Sequence, residues 1–501
     1  MLTKELERLR AGGRLEVRED GAWLAAMEGF RYEFRQRGEV VLLHLWSEQS
    51  SLVRRVLRVA EAPESEGTDA SEMATGPGSL ILEVTRFGSK APSRFEFAAV
   101  RAERSPMRIA REQFRARFRD LLAEQFPDEK ITSLTATADL KNSLSGNYTR
   151  GLLEGGSQGW AVLGVAPGEF AATCDALLTF GLLWLAQARK SAKRKTVAGV
   201  RLFFPAGTAR VVARRVQALS PSTLVELYEY SEDWRARRVD PQDMGNLETW
   251  LVPRRDVDGA LEQAAPAIER IRKLAPGAIE TEAIPGTAEV ALRFRGALFA
   301  RWTPAGVYFG FGDPRTPLEP DNETELKSLV RELETRRSPV AAATKHPWYR
   351  AQPERWLQSV VSSDPTRIDA RIDPRFLYAQ VPAFSSRDRG IMDLLCVTRD
   401  ARLAVLELKA SEDIHLVLQA VDYWQRVCWH QARQEFSRYG YFPGVSLDPR
   451  PPLLFLVAPS LQFHPANDAL LRYLNPEIEI CRVGVSESWR RGLKVVLRQG
   501  R

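Results

Sequence analysis

Apolar and polar positions along residues 390–433 alternate in a way that predicts a β-hairpin followed by a helix. Ile391–Val397 and Leu403–Leu408 are short apolar runs separated by the polar turn Thr398–Ala401, which is typical of two buried strands. From Asp413 to Arg433 the apolar residues recur at helical spacing, which predicts an amphipathic helix. Upstream, Glu354-Arg-Trp-Leu predicts a helix, and residues 378–382 predict a strand.

The same kind of pattern occurs earlier in the chain, after a β-rich beginning. Predicted strands cover 14–17, 30–36, 39–46, 80–87, 95–101, 131–138, 151–153 and 160–165, and predicted helices cover 109–126 and 171–190. Arg150-Gly-Leu-Leu-Glu154 matches Arg389-Gly-Ile-Met-Asp393, and Trp160 to Ala166 matches Leu403 to Lys409. Both following helices reach an identical Gln-Ala-Arg, at Gln187 and Gln431. These ordered matches indicate a tandem duplication.

The duplication extends upstream of each copy. Residues 31–46 and 291–311 both predict a strand, a turn and a strand, with Gly38 and Gly306 in the turns. We therefore predict an α/β (α+β) protein with four domains. They are a β-rich module at 1–103, a degenerate domain at 104–245, a linker helix with a second β-rich module at 246–345, and a mixed-sheet domain at 346–501.

Charged residues interrupt the second copy's apolar hairpin at a spacing that suits metal chemistry. Glu407 and Lys409 point to the same side, because side chains alternate along a strand, and Asp393 on the partner strand can reach the same point. Burying unpaired charges is costly, and a divalent cation would offset the cost. Magnesium binds through one or two carboxylates plus water and substrate oxygens. Gln419 and Tyr423 share one helix face and can line the same point.

These residues, in this order, resemble the PD-(D/E)xK nuclease superfamily, in its RecB-like branch with a Gln-x-x-x-Tyr motif; the resemblance covers about residues 347–500. It implies a restriction-endonuclease-like mixed sheet flanked by helices. It also implies that Asp393 and Glu407 bind Mg²⁺ or Mn²⁺, that Lys409 assists the nucleophile, and that Gln419 and Tyr423 line the site. Glu354 is implied as a further metal ligand. Met392 stands where the family name has proline.

The first copy is expected to be catalytically degenerate. The sequence match aligns Glu154, Gly164 and Ala166 with the second copy's Asp393, Glu407 and Lys409, and aligns Asp175 and Thr179 with Gln419 and Tyr423. A single carboxylate does not make a catalytic magnesium pocket. We therefore expect a pseudo-nuclease copy that is kept for architecture or for binding.

Composition adds a preference for a polyanionic partner. The 501 residues carry a formal net charge of +7, and the isoelectric point is about 9.2, which suits nucleic acid as a partner. Lys193, Arg194 and Lys195 lie in a basic loop that can neutralise phosphates. Four scattered cysteines favour a reducing compartment, the cytoplasm. The longest apolar run, Leu177 to Ala186, is shorter than the ~20 residues of a membrane span, so no membrane partner is expected.

Two functions are compatible with these patterns. The first is a metal-dependent nuclease that hydrolyses phosphodiester bonds of nucleic acid, with DNA preferred, using one intact site in the C-terminal domain. The second is a catalytically inactive nucleic-acid-binding or scaffold protein of a DNA-processing or defence complex. Fold alone does not separate them, because function belongs to the site. Both a homodimer and a larger DNA-processing complex are compatible with the sequence.

Overall fold

The computed structural model describes most of the chain, in two compact units. The described residues are 2, 6, 9, 14–20, 22–26, 31–37, 40–46, 51–60, 79–86, 92–100, 106–156, 158–192, 196–243, 248–284, 287–311, 315–340, 344, 346–384 and 389–501. The first unit comprises 1–103 and 255–360, and the second comprises 104–254 and 361–501. Each unit is therefore built from two separate stretches of the chain.

One part of the first unit is an antiparallel sheet with the strand order β2-β1-β7-β6-β5-β4-β3. Its strands are β1 (Arg14–Glu19), β2 (Ala22–Ala26), β3 (Arg31–Arg37), β4 (Val40–Trp46), β5 (Ser51–Ala60), β6 (Ser79–Arg86) and β7 (Pro92–Val100). Sequence patterning missed β2 and β5. In β5 arginines interrupt the apolar alternation, and one of them, Arg54, is buried in a bidentate pair with Glu19 at 2.8 Å. Gly38 lies outside the described residues.

The other part of the first unit is an antiparallel meander with helices. Its strands are β15 (Ile279–Ile284), β16 (Glu289–Phe294), β17 (Ala297–Thr303), β18 (Gly306–Phe309) and β19 (Thr316–Pro317). The prediction of one turn in residues 291–311, at Gly306, is incomplete, because a second turn at Arg295 and Gly296 separates β16 from β17. Both turn residues have positive φ, 45° and 80°, as a tight hairpin turn requires. A Cβ on Gly296 would also lie 2.3 Å from the backbone of Arg355.

Eleven helices accompany the sheets among the described residues. They are α1 (Pro106–Gln125), α2 (Ala171–Asp175), α3 (Leu177–Ser191), α4 (Arg210–Val216), α5 (Arg254–Arg272), α6 (Glu323–Arg336), α7 (Pro347–Arg350), α8 (Pro353–Ser363), α9 (Leu416–Ala432), α10 (Glu435–Arg438) and α11 (Ala466–Leu471). The segment Ala171–Ser191 is long and apolar enough to cross a membrane by length and composition. In the structure it is broken into α2 and α3, and α3 side chains such as Leu182 and Leu185 are fully buried in a core.

The second unit contains two mixed sheets with the same topology. The first copy has β8 (Lys130–Thr135), β9 (Tyr148–Gly155), β10 (Gln158–Val165), β11 (Thr196–Pro205), β12 (Leu224–Tyr230) and β13 (Ala236–Val239). The second copy has β20 (Ile372–Phe384), β21 (Arg389–Thr398), β22 (Leu403–Leu408), β23 (Leu453–Pro459), β24 (Ile480–Val485) and β25 (Val495–Gly500), with β14 (Trp250–Leu251) added at the edge. In each copy two antiparallel pairings are followed by two parallel pairings and a final antiparallel one. The expected α/β class and the duplication of the mixed sheet are confirmed.

The two copies pack against each other reciprocally within the second unit. Helix α9 contacts α4, and α11 contacts α3. Because α3 and α9 occupy matching places in the two copies, as do α4 and α11, the two contacts are related by an approximate two-fold rotation. A single hydrophobic cluster includes side chains of both copies, among them Leu182, Leu202, Val405 and Leu456. The helices that follow β10 and β22 are therefore fixed partly by the opposite copy.

Candidate active site

The hairpin of β21 and β22 brings the predicted charged residues to one end of the second copy's sheet. Leu394 pairs with Leu406 in antiparallel register, so Asp393 comes opposite Glu407 one residue further along. The predicted strands and the Leu416–Ala432 helix agree with the sequence expectation to within a few residues. Lys409 follows β22 directly, where its amide donates to the carbonyl of Val457 at 2.9 Å.

Two neighbours orient the carboxylate of Asp393. The backbone N–H of Leu408 donates to Asp393 Oδ2 at 3.0 Å, and the side-chain amide of Gln380 donates to Oδ1 at 3.2 Å. Gln380 is buried and has a φ of 53°, an uncommon conformation for a residue with a side chain. Sequence reasoning did not single out Gln380, although a lone amide in the otherwise apolar stretch 376–384 was a signal.

Glu407 and Lys409 form a buried charged group with a third residue. The side chain of Glu407 is 1% exposed, and its Oε1 lies 3.6 Å from Lys409 Nζ. The same ammonium lies 3.2 Å from Oδ2 of Asp413. Sequence reasoning also missed Asp413, four residues after Lys409. The two carboxylates restrict where the ammonium of Lys409 can lie.

Helix α9 supplies the amide and the phenol. The amide of Gln419 donates to the Tyr423 hydroxyl at 3.2 Å, as their predicted position on one helix face requires. Burial raises the pKa of Tyr423, and the negative charges of Glu407 and Asp393 raise it further, against the lowering effect of the Gln419 hydrogen bond. The phenol thus lies close enough to both carboxylates for their charges to act on it.

The donor set suits a hard divalent cation at a two-carboxylate site. Asp393 and Glu407 offer oxygen ligands, and magnesium commonly takes one or two carboxylates and completes its shell with water and substrate oxygens. Within the described part of the chain, no group of three or more His, Cys, Asp or Glu side chains is arranged to hold a metal ion. Glu354 lies on α8, in the first unit, and stays a prediction as a ligand.

Behind the site, α9 is held by a buried charge cluster that joins the two copies. Asp422, next to Tyr423, accepts from Arg214 of α4 at 2.7 Å and from Arg426 at 2.9 Å. Arg215 lies 3.9 Å from the same carboxylate. Burial raises the pKa of Asp422, but the three arginines outweigh burial and hold it well below its usual range. The first copy therefore contributes directly to the position of the helix that carries Gln419 and Tyr423.

The strand pairing in the structure corrects the residue-by-residue alignment of the first copy with the second copy. Leu202 and Leu456 each stand three residues before the matching prolines Pro205 and Pro459. Leu202 pairs with Leu163, whereas Leu456 pairs with Glu407. The equivalent of Glu407 is therefore Leu163. The alignment of Gly164 with Glu407, expected from the sequence match, is wrong by one residue.

This slip matters because one residue along a strand reverses the face of the sheet. A Cβ on Gly164 would lie 2.9 Å from the rings of Phe114 and Phe118, on the side of the sheet covered by α1. Leu163 and Val165 belong to the cluster on the opposite side, with α3. The equivalent of Lys409 is accordingly Val165, and the expected alignment of Ala166 with Lys409 is also wrong.

The equivalent of Asp393 changes as well. Leu163 pairs with Arg150, whereas Glu154 pairs with Gly159 near the hairpin turn. Arg150 thus occupies the place of Asp393, and Glu154 lies far along the strand from it. The first copy's site contains an arginine and two aliphatic residues, which strengthens the expectation that it cannot hold a catalytic cation.

On the helix of the first copy, Thr179 is fully buried, and its hydroxyl lies 3.2 Å from His415 Nδ1 of the second copy. Asp175 ends α2. The basic residues Lys193, Arg194 and Lys195 lie outside the described residues.

Comparison of the chain with protein-family models and with curated proteins finds no match.

Proposed function

We propose that the second mixed-sheet copy is a metal-dependent nuclease that hydrolyses phosphodiester bonds, with DNA as substrate. The observation that carries the proposal is the antiparallel register of β21 and β22, which places Asp393 opposite Glu407. Lys409 lies within 3.6 Å of Glu407 in the same group. The resemblance to PD-(D/E)xK nucleases, in the restriction-endonuclease-like fold, supports the same reaction. The chain's formal net charge of +7 supports a polyanionic substrate.

In this proposal Asp393 and Glu407 hold Mg²⁺ or Mn²⁺. When bound, the metal supplies Lewis-acid stabilisation of negative charge on the phosphoryl group. The hydrogen bonds from Leu408 and Gln380 fix the carboxylate of Asp393 before the metal arrives. A carboxylate fixed in advance needs less ordering when the ligand binds.

Lys409 orients water and stabilises charge. Its ammonium, placed between Glu407 and Asp413, donates hydrogen bonds to an attacking water and to the phosphoryl oxygens as negative charge develops. The raised pKa of Tyr423 keeps its hydroxyl proton in place at neutral pH. Gln419 and Tyr423 thus remain hydrogen-bonding groups that position the substrate.

The test is cleavage of supercoiled plasmid DNA by the full chain with Mg²⁺ or Mn²⁺. Asp393→Asn should abolish cleavage, because it removes a metal-binding charge and keeps the shape of the side chain. Asp400→Asn is the matched control, since Asp400 lies in the turn of the same hairpin and its side chain is 59% exposed. Wild-type protein that leaves the plasmid intact with either metal would overturn the proposal.

The second candidate is a nucleic-acid-binding or scaffold protein without cleavage activity, acting in a DNA-processing or defence complex. It is favoured by the first copy, whose Leu163 and Val165 replace the charged pair. The plasmid experiment separates the two functions, because a scaffold would retard DNA in a gel without cutting it. We propose the cytoplasm as the compartment for either function, in keeping with the free cysteines at 174, 396, 428 and 481.

A further inference from the structure

The first copy's site presents a buried cation where the second copy presents carboxylates. Arg150 occupies the register position of Asp393, because it pairs with Leu163. Asp393, Glu407 and Lys409 together carry one net negative charge, whereas Arg150, Leu163 and Val165 carry one net positive charge. At the register positions of Asp393 and Glu407, the first copy therefore has a cation and an aliphatic side chain in place of two carboxylates.

One nitrogen of the Arg150 guanidinium lacks the hydrogen-bond partner that a buried polar atom requires. The residue is 6% exposed, and its Nη1 is fully buried with no hydrogen-bond partner among the described residues. Buried polar groups in proteins are nearly always hydrogen-bonded, and an unpaired buried charge is costly. Burial lowers the pKa of Arg150, and the charge of Asp139 compensates only in part.

An aromatic ring lies beside the guanidinium without supplying a hydrogen-bond acceptor for Nη1. Arg150 Cζ lies 5.7 Å from the centre of the Trp184 ring, within reach of a cation–π attraction. The Trp184 indole N–H donates to the carbonyl of Gly151 at 2.9 Å, which fixes the ring. The ring attracts the positive charge without accepting the in-plane hydrogen bonds of the guanidinium.

We propose that the first copy's site binds a single phosphate group on Arg150. A planar guanidinium matches the oxygens of phosphate with two parallel hydrogen bonds. The nearly closed surroundings of Arg150 suit a terminal phosphate or the free anion rather than a continuous nucleic-acid backbone. This inference rests on the register and on Arg150, and it stands or falls independently of nuclease activity in the second copy.

The experiment measures binding of inorganic phosphate to the full chain by calorimetry, with chloride at equal ionic strength as reference. Wild type should bind saturably. Arg150→Met should weaken binding about 10- to 100-fold, as expected for loss of charged hydrogen bonds, and Arg150→Lys should retain part of it. The matched control is Arg402→Met, because Arg402 is buried to a similar degree but pairs with Pro451 O and Glu479. That variant should bind phosphate like wild type.

Competition identifies the source of the phosphate. A 5′-phosphorylated oligonucleotide that displaces inorganic phosphate, while its 5′-hydroxyl counterpart does not, assigns the site to a nucleic-acid end. Failure of both to compete assigns it to the free anion. The proposal is overturned if wild type shows no saturable binding, or if Arg150→Met binds as wild type does. Should Arg150→Met fail to fold, Arg150→Lys decides, because equal affinity for phosphate in that variant and in Arg402→Met would also overturn it.

Discussion

Leu219 and Leu474 form an isolated antiparallel bridge between the two mixed-sheet copies. Ser220 N–H donates to the carbonyl of Tyr473, and Asn475 N–H donates to the carbonyl of Ala218, both at 2.8 Å. Exchanging the two copies converts one hydrogen bond into the other, as a two-fold rotation requires. The approximate two-fold axis of the duplication therefore passes through this bridge. The second unit is thus arranged like a dimer of the two mixed-sheet copies, in which the second copy has Asp393 and Glu407 and the first has Arg150 and Leu163 at the same register positions.

This arrangement predicts that one binding event cuts one strand of a duplex. The expected result with supercoiled plasmid is a nicked form that accumulates before linear DNA appears, because only the second copy has the carboxylate pair. The time course is resolved on an agarose gel. Linear product without a nicked intermediate would contradict a single active site per chain, unless analytical ultracentrifugation of the same sample shows a dimer that pairs two intact sites.

Removal of one carboxylate should remove metal binding. We expect Glu407→Ala to lose the Mn²⁺ or Mg²⁺ binding that titration calorimetry detects in wild type, since Glu407 supplies one of two acidic ligands. Glu412→Ala is a suitable control, because the Glu412 side chain is 51% exposed. Equal metal affinity in wild type and Glu407→Ala would exclude Glu407 as a ligand.

Loss of the lysine should affect the chemical step more than binding. Lys409→Ala is expected to lower the cleavage rate about 10²- to 10³-fold, the usual effect of removing one preorganised charged donor. Its affinity for DNA should remain near that of wild type. Single-turnover cleavage and gel retardation measure the two quantities, with the exposed Lys494 replaced by alanine as control. Unchanged turnover would remove Lys409 from the mechanism.

The basic loop should contribute to affinity by neutralising phosphates. Replacing Lys193, Arg194 and Lys195 together by neutral residues is expected to weaken DNA binding and to flatten its salt dependence. On duplex DNA the log–log slope should fall by ~0.9 for each phosphate that the variant no longer neutralises. Cleavage at saturating DNA should persist, because the catalytic residues are unchanged. Binding measured at several salt concentrations gives the slope, and an unaltered slope would show that these residues do not bind phosphates.

Asp422→Asn should destabilise the second unit at neutral pH. The substitution removes the Asp422 charge that pairs with the buried Arg214 and Arg426, and breaking a buried ion pair costs about 3–5 kcal/mol. Because the folded pKa of Asp422 is lowered, its contribution is present above the unfolded value of about 3.9 and is lost as the pH falls through the folded pKa. Urea unfolding at pH 7 and at pH 3 tests this expectation.

The difference in unfolding free energy between wild type and Asp422→Asn should shrink at the lower pH. Asp364→Asn serves as control, because its side chain is 44% exposed in a pair with Arg367 and solvent screens such a pair. A constant difference at the two pH values would show that the Asp422 charge does not stabilise the fold.

The sequence by itself determined the hairpin and the following helix of the second copy and the identity of their charged residues. Apolar runs and helical spacing predicted β21, β22 and α9, because burial of one face imposes those periods on the sequence. Repeated motifs also revealed the duplication. By contrast, β5 was missed, since Arg54 is buried through its pair with Glu19, a partner that no local pattern identifies.

Only the tertiary structure decided which residues of the two copies are equivalent. The similarity of Ala161-Val-Leu to Ala404-Val-Leu suggested an alignment that is off by one residue, and a shift of one residue places the side chain on the other face of the sheet. The pairing of Leu163 with Leu202 and with Arg150 decides on which face of the first copy's sheet these side chains lie. Register depends on hydrogen bonds between strands distant in sequence, so the sequence alone placed neither Arg150 at the altered site nor the Gln380 amide on Asp393.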